Sequence, residues 1–284
     1  MKRWLPLLLL LLCWSAPAGA VGQARHFTTS DGVRLHYIEA GGGARTLVFV
    51  PGWTMPAWIF DRQIADLSRQ FHVVALDPRS QGESAIAPSG HDHVRRGQDI
   101  AELIARLGPQ KVVLVGWSLG VLDSLAYLRG AGDAHLAGLV LIDNSVGEDP
   151  PPPPPVRPMR PGPKLPREVM MRNFVRGMFA TRQPDAWLDR LTRAALRTPQ
   201  KVAAELLAYP VPRTWWKEAL YSTTRPTLYL VRPKFAGQAA NVRAHHPSAE
   251  VVVLTNAVGH ALFVDDPAGF DARLRDFLRR RVWP

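Results

Sequence analysis

Residues 113–121 read Val-Leu-Val-Gly-Trp-Ser-Leu-Gly-Val, a G-x-S-x-G motif centred on Ser118 and flanked by Gly116 and Gly120. The run Lys111–Val115 has the content of a buried strand, and Leu119–Leu128 fits a helix. In a strand–turn–helix context such glycines let the chain turn sharply and lift the serine hydroxyl clear of the sheet. The start of the helix just beyond favours developing negative charge. Ser118 therefore reads as a nucleophile rather than as one more turn serine.

The same alternation extends in both directions. Val33–Ile38 alternates apolar and polar residues, and Thr46–Val50, Phe71–Leu76 and Leu136–Ile142 are continuous apolar strands. Helical patterns lie between them at Ala57–Gln70 and Gln98–Leu107, the latter with Ile100, Leu103, Ile104 and Leu107 on one face. Solid apolar strands alternating with helices predict an α/β fold, a mostly parallel, doubly wound sheet covered on both faces. The pattern stops at Asp149. Prolines 150–155 open an extended connector, and helices are predicted over 167–181, 184–197 and 199–208. Strand patterns resume at Thr227–Val231 and Glu250–Leu254, and a helix spans Ala268–Arg281. The expected organisation is a core of residues 21–148 and 222–284 interrupted by a Pro-rich connector and helical lid over 149–221.

The chain has 284 residues, 46% of them hydrophobic, enough for one sizeable core. Residues 1–20 stand apart. Lys2 and Arg3 precede the apolar run Leu5–Trp14, and Ala18-Gly19-Ala20 follows it, the three-part form of a signal peptide cleaved near Ala20. Its apolar run is shorter than the roughly 20 residues that span a bilayer, and no other stretch is long and apolar enough to do so. The expected location is periplasmic or secreted. Cys13 is the only cysteine, so the mature chain would have no disulfide and no Cys-based metal site. The formal net charge is +11, and the excess concentrates in 151–218, where 13 Arg and Lys face 5 Asp and Glu. Such a face suits anionic substrates or a solvated helical surface. No recognition motif accompanies it, so nucleic acid is not expected as a partner.

These residues resemble the α/β-hydrolase family from about Phe27 to Phe277. Beyond the elbow, Pro51-Gly52-Trp53 matches the loop after the third strand, with Pro51 where the family usually has His. Asp77-Pro-Arg-Ser-Gln-Gly-Glu-Ser84 is similar to the family's Asp-x-Arg-Gly-x-Gly-x-Ser loop, with Ser80 replacing a glycine. Gly259-His260 and the following residues to Pro267 match the loop that carries the catalytic histidine. The resemblance implies His260 as general base and the backbone N–H groups of Trp53 and Leu119 as an oxyanion hole. Asp266, just before Pro267, reads as a helix N-cap, and His245 and His246 as solvated residues of a polar connector.

The third member is less direct. Most relatives carry the acid after the strand that here is Thr227–Val231, yet no Asp or Glu occurs between Glu218 and Glu250. Asp143 stands at the C-terminal end of the preceding strand, where functional groups collect in doubly wound sheets. Some lipases and haloalkane dehalogenases carry their acid at this alternative position. Either Asp143 supports His260, or the site is a Ser–His dyad.

A serine at the elbow disfavours epoxide hydrolysis and dehalogenation, which use aspartate there. The elbow and the Gly-Trp of the oxyanion loop are locally similar to those of pimeloyl-ACP methyl ester esterases. The resemblance implies a cofactor-free carboxylesterase acting on a small-molecule acyl ester, apolar or anionic, or on a thioester or lactone. A cofactor-free haloperoxidase-like or C–C bond hydrolase and a catalytically silent binding protein are the alternatives.

Overall fold

The computed structural model describes residues 22–151 and 165–284. The segment expected to be a signal peptide, with Cys13 and the expected cleavage site near Ala20, lies outside the described residues, as does most of the proline-rich connector. The first half of the chain runs β1 (Gln23–Thr28), β2 (Arg34–Ala40), β3 (Thr46–Val50), α1 (Asp61–Leu67), β4 (His72–Asp77), α2 (His93–Arg106), β5 (Val112–Trp117), α3 (Leu119–Ala131) and β6 (Leu136–Ile142). Then come four helices, α4 (Arg167–Gly177), α5 (Asp185–Arg197), α6 (Gln200–Glu205) and α7 (Thr214–Tyr221). The chain continues with β7 (Thr227–Val231), α8 (Ala236–His245), β8 (Ala249–Val253), α9 (Leu262–Asp265) and α10 (Pro267–Phe277).

The eight strands form one sheet in the order β1-β2-β4-β3-β5-β6-β7-β8. Only β2 pairs antiparallel with its neighbours β1 and β4; the others pair in parallel. The central strands are apolar on both faces. Val48, Val50, Leu114, Leu139 and Leu141 point into a core shared with α2, α3 and α8. Leu47, Phe49, Val113, Val115, Trp117, Val140 and Ile142 point into a second core with α1 and α10. The insertion divides between them. Val202 and Leu206 of the α6 region and Trp216 and Leu220 of α7 join the first core, whereas Met171 and Val175 of α4 and Leu188 and Leu191 of α5 join the second.

Several elements differ from expectation. The helix over 57–70 is split into a 3-10 turn at residues 57–60, whose first N–H, that of Ala57, donates to the Asp77 carboxylate, and α1, which runs only to Leu67. The polar stretch after β7 folds into α8, whose weakly amphipathic sequence still buries Gln238, Ala239 and Val242. With it His246 becomes buried rather than solvated, and burial lowers its pKa. Strand β1 was not anticipated because Phe27 is its only buried residue. Helix α7 was not separated from its surroundings either. Among the described residues, no helix is long and apolar enough to cross a membrane.

Arg79 shows what the Asp77–Ser84 loop contributes. Its side chain is 0% exposed; Nε and Nη2 donate to the two oxygens of Asp99 in α2 at 2.6 and 2.7 Å, and Nη1 reaches Asp31 at 3.0 Å. The fork ties the end of β4 to α2 and to the turn before β2. Removing one partner from a buried ion pair typically costs about 3–5 kcal/mol. Arg95 still pairs with Asp99, so Arg79→Met is expected near the low end, a loss of about 3 kcal/mol in urea unfolding. A midpoint equal to that of the unmodified protein would show the fork to be dispensable.

Candidate active site

Three candidate functional side chains lie beyond the C-terminal ends of β5, β6 and β8. Ser118 follows β5, Asp143 follows β6, and His260 lies on the connection from β8 to α9. Ser118 adopts φ 54, ψ −121 and Asp143 φ 49, both in the left-handed half of backbone space. Such residues cost roughly 1–3 kcal/mol each and persist only if their surroundings hold them. The Ser118 N–H donates to Ile142 O at 2.9 Å, and Asn144 Nδ2 donates to Ser118 O at 2.8 Å. A side chain on Gly120 would run into the carbonyls of Val50 and Pro51, and one on Gly116 into Gly120 itself. The two elbow glycines thus let α3 start against β3.

The structure brings Ser118, His260 and Asp143 into one hydrogen-bonded chain. His260 Nε2 lies 2.7 Å from Ser118 Oγ, and His260 Nδ1 lies 2.7 Å from Asp143 Oδ2. The carboxylate is 0% exposed and the imidazole 20%. Burial pushes Asp143 upward, but the hydrogen bond and charge of His260, together with Arg232, outweigh it and hold the carboxyl below its usual range. Burial pushes His260 below the ordinary imidazole value, against the hydrogen bond and charge of Asp143; Arg232 and Lys234 act in the same downward direction as burial. An ionised Asp143 must accept from Nδ1–H, so a neutral His260 presents Nε2 as acceptor to the Ser118 hydroxyl. That is the protonation state a general base requires.

Trp53 and Leu119 flank the serine. Leu119 is the first residue of α3, where backbone N–H groups lack partners within the helix. The Gly52-Trp53 loop packs on the serine closely enough that a Cβ on Gly52 would crowd Ser118 Cβ. Gln81 braces this loop: its Nε2 donates to Gly52 O at 3.1 Å and its Oε1 accepts from Thr54 N–H at 2.9 Å. No sequence signal marks Gln81 for this role. Trp117 Nε1 donates to His260 O at 2.8 Å and fixes the histidine loop to the elbow strand. Asp265 joins that loop to the insertion, accepting from Gly259 N–H at 2.6 Å and from Ala180 and Thr181 N–H at 3.0 and 2.9 Å. Asp266 caps α10 through Gly269 N–H.

A second Ser–His–acid chain runs from Ser80 Oγ to His91 Nε2 at 3.0 Å and from His91 Nδ1 to Glu205 at 2.7 Å. Ser80 is fully buried and its Oγ also accepts from Ala87 N–H. This chain connects the β4–α2 loop to α6 and offers no reachable nucleophile. Among the described residues no group of three or more His, Cys, Asp or Glu side chains is arranged to hold a metal ion.

A model of the Alpha/beta hydrolase family matches residues 47–273. A non-heme haloperoxidase from Rhodococcus erythropolis is 30% identical over 194 residues, 68% of this chain and 67% of the relative. An N-formylmaleamate deformylase from Pseudomonas putida is 29% identical over 269 residues, 88% of this chain and 94% of the relative. The solved structure of an esterase from Rhodococcus sp. aligns with a TM-score of 0.75 at 24% identity, covering 91% of this chain and 99% of that one, a likeness of fold.

The geometry predicts covalent labelling by a fluorophosphonate at Ser118 alone. Ser118→Ala should abolish the adduct and Ser80→Ala should leave it intact, read by intact-protein mass spectrometry. The rate should rise with pH as His260 loses its proton, because only the neutral ring accepts the hydroxyl proton. With its pKa lowered by burial, the midpoint of that rise should lie below the ordinary imidazole value of about 6.5. A midpoint at or above that value would contradict this electrostatic picture.

Proposed function

The chain belongs to the alpha/beta hydrolase family, and from that premise we propose that it is a serine esterase. In this reading it cleaves carboxylic esters of small molecules through an acyl-enzyme on Ser118. One observation carries the reading: the Ser118 hydroxyl lies 2.7 Å from His260 Nε2, on an elbow whose backbone is pinned in a strained conformation. A serine hydroxyl is a weak nucleophile until a base takes its proton. His260 takes it as Oγ attacks the acyl carbon, and the oxygen of the tetrahedral intermediate faces the N–H groups of Trp53 and Leu119. Each such donor is worth about 2.7–4 kcal/mol to the transition state. The imidazolium returns its proton to the leaving alcohol. Water then repeats the sequence on the acyl-enzyme and frees Ser118.

The helices between β6 and β7 act as a lid in this reading. The Phe174 ring in α4 meets Trp53 edge-on at 5.0 Å, and Trp53 Nε1 donates to Ala203 O at 2.7 Å. The oxyanion loop is therefore in contact with the insertion, whose aromatic and Met side chains suit an apolar acyl group. Its excess of Arg and Lys favours acyl groups that end in a carboxylate. Residues 1–20 act as an export signal, and the substrate is met outside the cytoplasm. The haloperoxidase relative favours a second reading, in which hydrogen peroxide replaces water as the group attacking the acyl-enzyme and a peracid leaves.

A panel of p-nitrophenyl esters of graded chain length, with half-esters of dicarboxylic acids beside it, tests the reading directly. Turnover is expected on at least one class, and Asp143→Asn should lower kcat by about 10³–10⁴ with circular dichroism unchanged, as losing the orienting carboxylate does in such triads. No hydrolysis across the panel, with peracid formed when peroxide is supplied, would favour the second reading. Near-normal kcat in Asp143→Asn would reduce the site to a dyad.

A further inference from the structure

The strand end after β7, where most relatives carry the catalytic acid, here carries Arg232, and its contacts give it a role of its own. Its backbone N–H donates to Asp143 Oδ1 at 3.0 Å, while Nε and Nη2 both reach Oδ2 at 2.7 Å. Oδ2 is also the oxygen that meets His260 Nδ1. The carboxylate is 0% exposed and the guanidinium 25%. An ionised carboxylate without water needs a counter-charge, and a neutral His260 does not supply one.

We propose that Arg232 is the positioning residue of the triad: it holds Asp143 ionised and turned so that Oδ2 faces His260, and it offsets the negative charge that the imidazolium meets. The proposal rests on the serine-hydrolase reading of the site. A triad whose acid lies in the open needs no such partner. Here the acid at the end of β6 lies beside β7, and Arg232 at the end of β7 faces it with the opposite charge. The charged groups facing the His260 ring are Asp143 at the end of β6 and Arg232 and Lys234 after β7. Two cations against one anion make the ring a weaker base than Asp143 alone would, so it stays unprotonated and ready at lower pH.

Charge and geometry separate in two variants of the protein. Arg232→Met removes both; Arg232→Lys keeps a positive charge but loses the fork. The Asp143–His260 pair titrates as a unit, read from the imidazole nitrogens of His260 by NMR without any substrate. Losing a cation next to the pair should raise its midpoint by about one pH unit or more in Arg232→Met. Arg232→Lys should titrate with the unmodified protein, yet react with a fluorophosphonate several-fold more slowly because Asp143 is no longer oriented. A purely structural role would not produce that split. Equal midpoints in Arg232→Met and the unmodified protein would overturn the proposal, as would undiminished labelling in Arg232→Lys. If circular dichroism shows Arg232→Met unfolded, Arg232→Lys decides: a retained midpoint with slowed labelling supports the role, and a normal rate refutes it. A protein that labels and titrates as described but hydrolyses no ester would defeat the esterase reading and leave this one standing.

Discussion

The site depends on the backbone of one residue. Ser118 sits at φ 54, ψ −121, a conformation that a free chain would leave at once, and the two strands flanking β5 keep it there. Strand β3 approaches so closely that Gly120 must lack a side chain; β6 supplies the carbonyl of Ile142 and the amide of Asn144. The register does the rest. Val50 pairs with Gly116 and Trp117 with Ile142, so the Gly52-Trp53 loop, Ser118 and Asp143 leave the sheet at one level. A slip of one residue would turn alternate side chains to the other face and separate the three groups.

Much of this was readable from residue order. The core strands are continuous apolar runs and were placed within one or two residues. The elbow carries its own context on both sides, and the absence of acid between Glu218 and Glu250 points to Asp143. What escaped the sequence depends on pairing over long separations. Gln81 looks like any loop amide until Gly52 and Thr54 stand against it. Asp265 and Asp266 are adjacent and identical in type, yet one caps α10 and the other holds the histidine loop to the insertion. Arg232 carries no sequence signal for its role; only strand order shows that β7 lies beside β6 and that the guanidinium meets Asp143. Helix α8 was missed for the opposite reason: it is short, weakly amphipathic and held by packing more than by propensity.

The insertion is attached at each loop that shapes the site. Trp53 bonds to Ala203 beside the oxyanion loop, and Thr198 Oγ1 donates to Ser80 O at 2.8 Å in the β4–α2 loop. Asp265 bonds to Ala180 and Thr181 beside the histidine loop. These contacts are polar, and the one between Thr198 and Ser80 is fully buried. The segment is thus joined to the base by hydrogen bonds at these loops and by apolar side chains buried in both cores.

The order of the three groups along the chain also has a meaning during synthesis. The nucleophile and the acid lie on either side of α3, and their strands are neighbours in the sheet. Such short-range structure closes early because little chain entropy is lost in forming it. The base joins them across 117 and 142 residues, after the insertion and the last two strands have been made. A partly made chain that ends before β7 therefore lacks Arg232, which contacts Asp143, as well as the imidazole of His260. The hydrogen-bonded chain of Ser118, His260 and Asp143 is thus complete only once the segment beyond β8 has docked.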